Sequence, residues 1–285
     1  MPRPLLIIPL LLALAGCASM ATERLADNLS RAILNQDDPE TVRAGAPSFL
    51  LLIDGLIEGA PRDAHLLLSG AKLYSAYAGV FVDEPARARR LAGRALGYAR
   101  RAACDGDARL CGLETLPYPA LDARLAQLTS GELELLYGYA AVWAGWIEAH
   151  AGDWRAHAQL ARVERMMGRA AAIDERHDGG RIHLYLAVMK TLLPAALGGR
   201  PEVGRGHFER AIELSGGRDL KIKVEFARRY ARLQLDRELH DRLLGEVITA
   251  DPVAPGLTLG NTLAQREARA LLAESADYFP EPGTE

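Results

Sequence analysis

Residues 192–232 restrict the fold more than any other stretch. They read as helix, glycine corner, helix, glycine corner, helix. Phe208, Ala211, Ile212 and Ser215 recur at i, i+3, i+4 and i+7 and share one helical face. Gly216-Gly217 closes that helix, because glycine enters the left-handed region without a Cβ clash. Leu220, Val224, Ala227 and Ala231 make the next stripe. Pro194 and Gly198-Gly199 break the chain before it. Phe208 and Ala211 have the spacing of the large and small packing residues in the second helix of a tetratricopeptide repeat.

The same alternation extends along the chain. Helix-period patterns cover about 20–35, 41–59, 62–81, 85–101, 120–129 and 131–150. Asp38-Pro39-Glu40 starts one helix, and Asp153 caps another that runs to Asp174. His177-Asp178-Gly179-Gly180 is a turn, and a helix over 181–197 leads into the central stretch. Asp236 opens a helix ending near Ala250, and Asn261 caps the last one, to about Ala276. Ala76, Ala88, Ala92 and Ala95 reproduce the small-residue spacing of the repeat. Alternating strand patterns are nearly absent. The expected fold is all-α: a degenerate tetratricopeptide-like array of about twelve helices, one domain over 17–285. Such stacked helix pairs leave a concave face or a central channel. Glycine and alanine inside helices, as in Ala141 to Trp146, let helices approach closely.

The N-terminus reads as an export signal over residues 1–16. Arg3 precedes an apolar run from Leu5 to Leu14, and Leu14-Ala15-Gly16-Cys17 resembles a lipobox. Cys17 is the expected lipidation site, and the lipid the only membrane anchor. Ala18 and Ser19 carry no inner-membrane retention aspartate, so the outer membrane of a Gram-negative cell, facing the periplasm, is the expected address. The net charge of −3 offers no basic surface for nucleic acid. Cys104 and Cys111 flank a short loop; export favours a disulfide over two buried thiols, and no second pair exists for zinc.

Motifs that suggest chemistry fail on their context. Leu214-Ser215-Gly216-Gly217 matches the signature of ATP-binding-cassette proteins, but no phosphate-binding P-loop accompanies it. Glu274-Ser275 resembles the start of a lytic transglycosylase site, but too little chain follows for that domain. His150 and His157 are separated by Gly152-Asp153, and no metalloprotease helix motif is present. No catalytic residue, cofactor or metal site is expected. The cleft candidates are Tyr74, Tyr77, Trp143, Trp146, His183, Tyr185, His207, Arg218 and Lys221. The aromatics have apolar bodies with polar tips, suited to packing or to lining a cleft. Arg218 and Lys221 flank a helix start near Asp219 that would suit a carboxylate.

Residues 140–150 (Ala-Ala-Val-Trp-Ala-Gly-Trp-Ile-Glu-Ala-His), 193–232 and 263–272 (Leu-Ala-Gln-Arg-Glu-Ala-Arg-Ala-Leu-Leu) resemble the TatT family, the T components associated with tripartite ATP-independent periplasmic (TRAP) transporters. The resemblance spans nearly the whole mature chain. It implies a lipid-anchored periplasmic protein of hidden tetratricopeptide repeats, and a homotrimer whose protomers each hold a pore or cleft. It also implies association with the solute-binding P component and transfer of a hydrophobic or organic-acid ligand. The alternatives are an outer-membrane assembly scaffold and, in the enzyme class, a peptidoglycan-cleaving solenoid.

Overall fold

A computed structural model describes residues 28–279 except residue 29. The export segment, Cys17 and most of the helix expected over 20–35 lie outside the described residues; 30–34 are helical. Among the described residues there are helices and turns and no strand. The helices are α1 (Pro39–Gly59), α2 (Ala64–Phe81), α3 (Pro85–Gly106), α4 (Tyr118–Leu125), α5 (Leu133–Ala149), the single turn α6 (Trp154–His157), α7 (Leu160–Asp174), α8 (Arg181–Lys190), α9 (Pro201–Ser215), α10 (Leu220–Glu225), α11 (Arg237–Thr249), α12 (Thr258–Ala273) and α13 (Ser275–Tyr278).

The caps explain most of the boundaries. Asp38, Asp63, Asp153, Asp219 and Asp236 each accept a backbone N–H of the first turn they precede. Gly216 and Gly217 have φ of 60° and 70°. Gly217 N–H donates to Ile212 O at 2.8 Å and Gly216 N–H to Glu213 O at 3.0 Å, the paired closure that glycine permits.

Four local readings need correction. The helix over 181–197 ends at Lys190; Thr191 Oγ1 turns back on Ala187 O at 2.9 Å, and Pro194 follows. The helix opened by Asp153 breaks after His157 and restarts at Leu160. Ala76 is exposed and Ala78 is buried, so the repeat register on α2 is displaced by two residues. Asn261 does not cap α12, which begins at Thr258. Its side chain is buried instead, accepting Leu220 N–H at 3.0 Å and donating to Arg218 O and Pro252 O.

Two apolar cores run through the array. The first joins α1 to α8 and includes Leu67, Ala99, Leu136, Trp143, Met166, Met167 and Ile182. The second joins α8 to α12 around Phe208, Ile222, Phe226, Leu244 and Ala264. Helix α8 serves both, with Ile182 and Leu186 in the first and Ala187 in the second. Close approach at Gly145 tightens the first core: a Cβ there would lie 2.8 Å from Ser75 Oγ on α2. The array then returns on itself. Leu259 of α12 enters the first core, Gly256 N–H donates to Asn35 Oδ1 at 2.6 Å, and Arg266 pairs with Glu40 at 3.2 Å. Helix α12 thus packs back on the first part of the array.

Candidate functional site

The joint between the two cores carries the densest set of inward polar groups. The turn 177–180 that starts α8 has Asp178 at φ 49°, a left-handed position that aspartate tolerates. There Asp178 accepts the Tyr137 hydroxyl of α5 at 2.6 Å. Arg181 Nε donates to Asp219 Oδ2 of the α10 start at 2.6 Å. Tyr185 stands one turn further along α8, its ring 6.1 Å edge-on from that of Tyr137. Helices α5 and α8 both pack on α7, and these two rings span the angle between them.

The opposite wall is α10 and the turn that continues it. Residues Phe226–Ala231 form a π-turn, and Arg232 N–H reaches five residues back to Ala227 O at 3.1 Å. Single π-turns inside helices recur at functional sites. Glu225, the residue before the turn, is nearly enclosed and accepts three cations: Lys221 at 3.0 Å, Arg229 Nε at 3.3 Å and Arg228. Burial alone would raise the Glu225 carboxyl, but Lys221 and the two arginines outweigh it and hold the group at about 2. Glu267 of α12 shares Lys221 at 2.6 Å and Arg228 at 2.9 Å. Glu148 of α5 completes the set, loosely facing Arg229 Nη2 at 3.8 Å.

Depth and exposure coexist here. Burial pushes the Tyr185 phenol up to about 12, yet the residue is only half-buried. Burial also opposes the charge on Arg181, which Asp219 and Asp178 restore and hold above its ordinary value; 31% of its side chain still meets solvent. Arg181 and Tyr185 thus combine many protein neighbours with contact to solvent, and this joint is the candidate concavity. On α5 the facing stripe is Tyr137, Ala141, Ala144 and Glu148, of which the two alanines are half-buried. The walls therefore combine small apolar residues with fixed charges, an arrangement suited to orienting a ligand. Among the described residues no group of three His, Cys, Asp or Glu converges on a point that could hold a metal.

Of the residues singled out from sequence, Tyr185 and Lys221 belong to this concavity. Lys221 is committed to Glu225 and Glu267, while Arg218 is exposed and donates to Ser215 O at 3.4 Å, so the two share no contact. The start of α10 is not open either: Asp219 accepts Lys221 N–H and Asn261 accepts Leu220 N–H. His183 and His207 meet, Nδ1 to Nδ1 at 2.8 Å, with His183 Nε2 on Glu175 at 3.2 Å. One ring must offer a lone pair to the other. Burial, with His183 and Lys190 nearby, pushes His207 down to about 4.

The remaining aromatics pack elsewhere. Trp143 is fully buried, and its Nε1 donates to Gln159 Oε1 at 2.8 Å. Trp146 leans on His150, and Tyr77 lies against Phe81. Tyr74 donates to Asp54 at 2.7 Å beside an open depression lined by Asp54, Glu58, Arg94, Gly97, Tyr98 and Arg101. There burial and Asp54 push the Tyr98 phenol up to about 12. Cys104, in the last turn of α3, and Cys111 are joined as a disulfide in this structure.

The charged residues of the concavity were missed because each reads as a solvated helix face. The signal present in the sequence was Lys221, Glu225, Arg228 and Arg229, with Glu225 at four residues from Lys221 and at three and four from the arginines, on one helical face.

No curated protein matches the chain. A family model described as TRAP transporter T-component matches residues 35–279, which takes in every helix from α1 to α13 and the whole concavity. The chain belongs to this family of transporter components.

Proposed function

We propose that the protein is the periplasm-facing, lipid-anchored T subunit of a TRAP uptake system. It binds the solute-binding P component and passes a small ligand through the concavity between α5, α8 and α10. Membership of the T-component family supports the system. The observation that carries the passage is the charged joint of the part-exposed Arg181, Tyr185 and Arg228 with the nearly enclosed Glu225, in an array that returns on itself. The lipobox at Cys17 supports the anchor and an outer-membrane address. A trimer rests on the family resemblance.

Titration calorimetry between the folded protein and its cognate solute-binding protein tests the partnership. The expected result is saturable binding in the micromolar range. No heat and no co-elution at high micromolar concentrations would remove the partnership. Size-exclusion chromatography with light scattering reads the oligomer, three copies being expected.

A further inference from the structure

The depression beside Tyr74 lies outside the joint and has no part in the passage proposed above. It measures about 360 Å³, is open to solvent, and sits between one face of α1 and one face of α3. Its inner end is fixed. Asp54 of α1 accepts the Tyr74 hydroxyl at 2.7 Å, the Tyr98 hydroxyl at 2.8 Å and Arg94 Nη1 at 2.7 Å, so this carboxylate is already engaged by three donors. The outer end is free. Glu58, one turn beyond Asp54, has no hydrogen bond or ion pair among the described residues. Arg101 of α3 lies over the Tyr98 ring at 5.7 Å and gives only Nη2 to Pro61 O at 2.6 Å. Glu58 and Arg101 line the same space without pairing with each other. Opposite charges held apart across one depression suit a guest that carries both signs.

The surroundings show where such a guest comes from. Gly97 stands on α3 between Arg94 and Arg101, and a Cβ there would meet nothing within 4 Å. Glycine is unfavourable in mid-helix, and no neighbouring helix requires it here; its effect is to leave the depression open. Leu51 shares a face of α1 with Asp54 and Glu58 and is 74% exposed, and Leu52 beside it is 45% exposed. Arg87 and Arg90 carry the face of Arg94 back toward the start of α3, where Glu84 precedes them. Exposed leucine thus adjoins charges of both signs, in a hollow too shallow to bury a free solute. The chain also supplies a tether. Eleven residue steps separate Cys17 from Asn28, so a lipid on Cys17 stays within about 40 Å of the segment that leads into α1. Glu58 lies nineteen residues beyond Pro39, about 28 Å along α1.

We propose that the α1–α3 face lies on the bilayer that anchors the chain, and that its depression takes the headgroup of a phosphatidylethanolamine, the phosphate on Arg101 and Arg94 and the primary ammonium on Glu58. Both contacts are charge-assisted hydrogen bonds. A single weak site suffices, because a tether holds the lipid surface at high effective concentration. The inference rests on the lipid-anchor reading for its place in the cell.

The mature chain, residues 17–285, made with Cys17→Ser, separates the face from the anchor. It is floated with vesicles of phosphatidylcholine alone, or of phosphatidylcholine mixed equally with phosphatidylethanolamine or with phosphatidylglycerol. The phosphatidylethanolamine vesicles are expected to bind at low millimolar lipid. Pure phosphatidylcholine should bind about fivefold less or weaker, because its quaternary ammonium has no N–H for Glu58. Phosphatidylglycerol, which offers negative charge alone, should also bind less. Gly97→Leu fills the depression at an unobstructed helical position, so it should keep the fold and lower phosphatidylethanolamine binding about tenfold. Glu58→Gln should remove the preference over phosphatidylcholine and leave phosphatidylcholine binding as it was. No binding to phosphatidylethanolamine vesicles, equal binding of the two zwitterionic lipids, stronger binding to phosphatidylglycerol, or a Gly97→Leu variant that binds as the parent does, each overturns the assignment. Fractionation of the unmutated exported protein is run alongside. Membrane partition there with no vesicle binding by the Cys17→Ser chain removes this inference alone, whereas vesicle binding with an unacylated Cys17 removes the anchor reading alone.

Discussion

Replacing Glu225 by glutamine should destabilise the protein by roughly 3 kcal/mol near neutral pH, and two independent routes reach that figure. The first is titration. The Glu225 side chain is 7% exposed, and its carboxyl is held at about 2 in the folded chain against an ordinary value of 4.5. At about 1.4 kcal/mol per tenfold change in proton affinity, that difference is worth roughly 3 kcal/mol. Because the folded value is the lower one, the contribution is complete above pH 4.5 and is lost as pH falls toward 2. The second route is structural. Breaking a buried pair by removing one partner costs about 3–5 kcal/mol, because the other partner remains buried and uncompensated. Glu225→Gln leaves Lys221, Arg228 and Arg229 behind, but Glu267 still holds the first two, which places the cost at the lower end. Urea unfolding of both proteins at pH 7 and pH 3 measures it. The gap should be near 3 kcal/mol at pH 7, and roughly 60% of it should vanish by pH 3. A gap under about 1 kcal/mol at pH 7, or one that stays constant on acidification, would refute the assignment of Glu225 as the buried anchor of the network.

Other outcomes follow from single sites. Phe208 is fully buried and stacked on Phe226 at 4.9 Å, so Phe208→Ala should cost about 3–5 kcal/mol in the same urea assay, with or without ligand. His207, held at about 4 against an ordinary 6.5, binds its proton more readily in the unfolded chain, so stability should fall as pH drops from 6.5 to 4. His207→Asn should flatten that part of the stability curve, and NMR titration of the ring reads the value directly. The exported protein should show no alkylatable thiol at Cys104 or Cys111 without reductant, and reduction should cost at most about 2–3 kcal/mol, since the loop between them is short. Cys17→Ser should move the protein from the membrane to the soluble fraction or stall its processing, as fractionation and blotting would reveal.

Much of the array was legible because helix boundaries are local chemistry. The aspartate caps and the Gly216-Gly217 closure need only their own few residues, and the buried faces of α9 and α10 followed the expected period. The errors came where a local stop outranks the apolar period or where a distant partner decides. Thr191 ends α8 with help from Pro194 and its own hydroxyl, although the apolar period continues to residue 197. Asn261 looks like a cap from its neighbours, yet its side chain serves the start of α10, some forty residues upstream. No local pattern distinguishes a side chain that caps its own helix from one that caps another.

The concavity was the least legible part for the same physical reason. Arg181, Glu148 and Glu267 sit at helix positions where charge ordinarily means a solvated face, yet they border a network centred on the nearly enclosed Glu225. Whether a half-exposed face looks outward or into an enclosed space depends on how the first and last helices meet. That meeting rests on Leu259 in the first core, on Gly256 with Asn35, and on Arg266 with Glu40. Each is set by residues more than two hundred positions apart or by a core shared across the chain, so helical periodicity carries no trace of it. The closing contacts also differ in strength. The Arg266–Glu40 pair is exposed and contributes little, about 0–1 kcal/mol, whereas Leu259 is buried among apolar neighbours. The apolar contact therefore sets whether the space stays enclosed. A ligand that fills the joint at Arg181 and Tyr185 would bind the closed array better than an opened one. It would thus favour closure by the difference between those affinities and by no more.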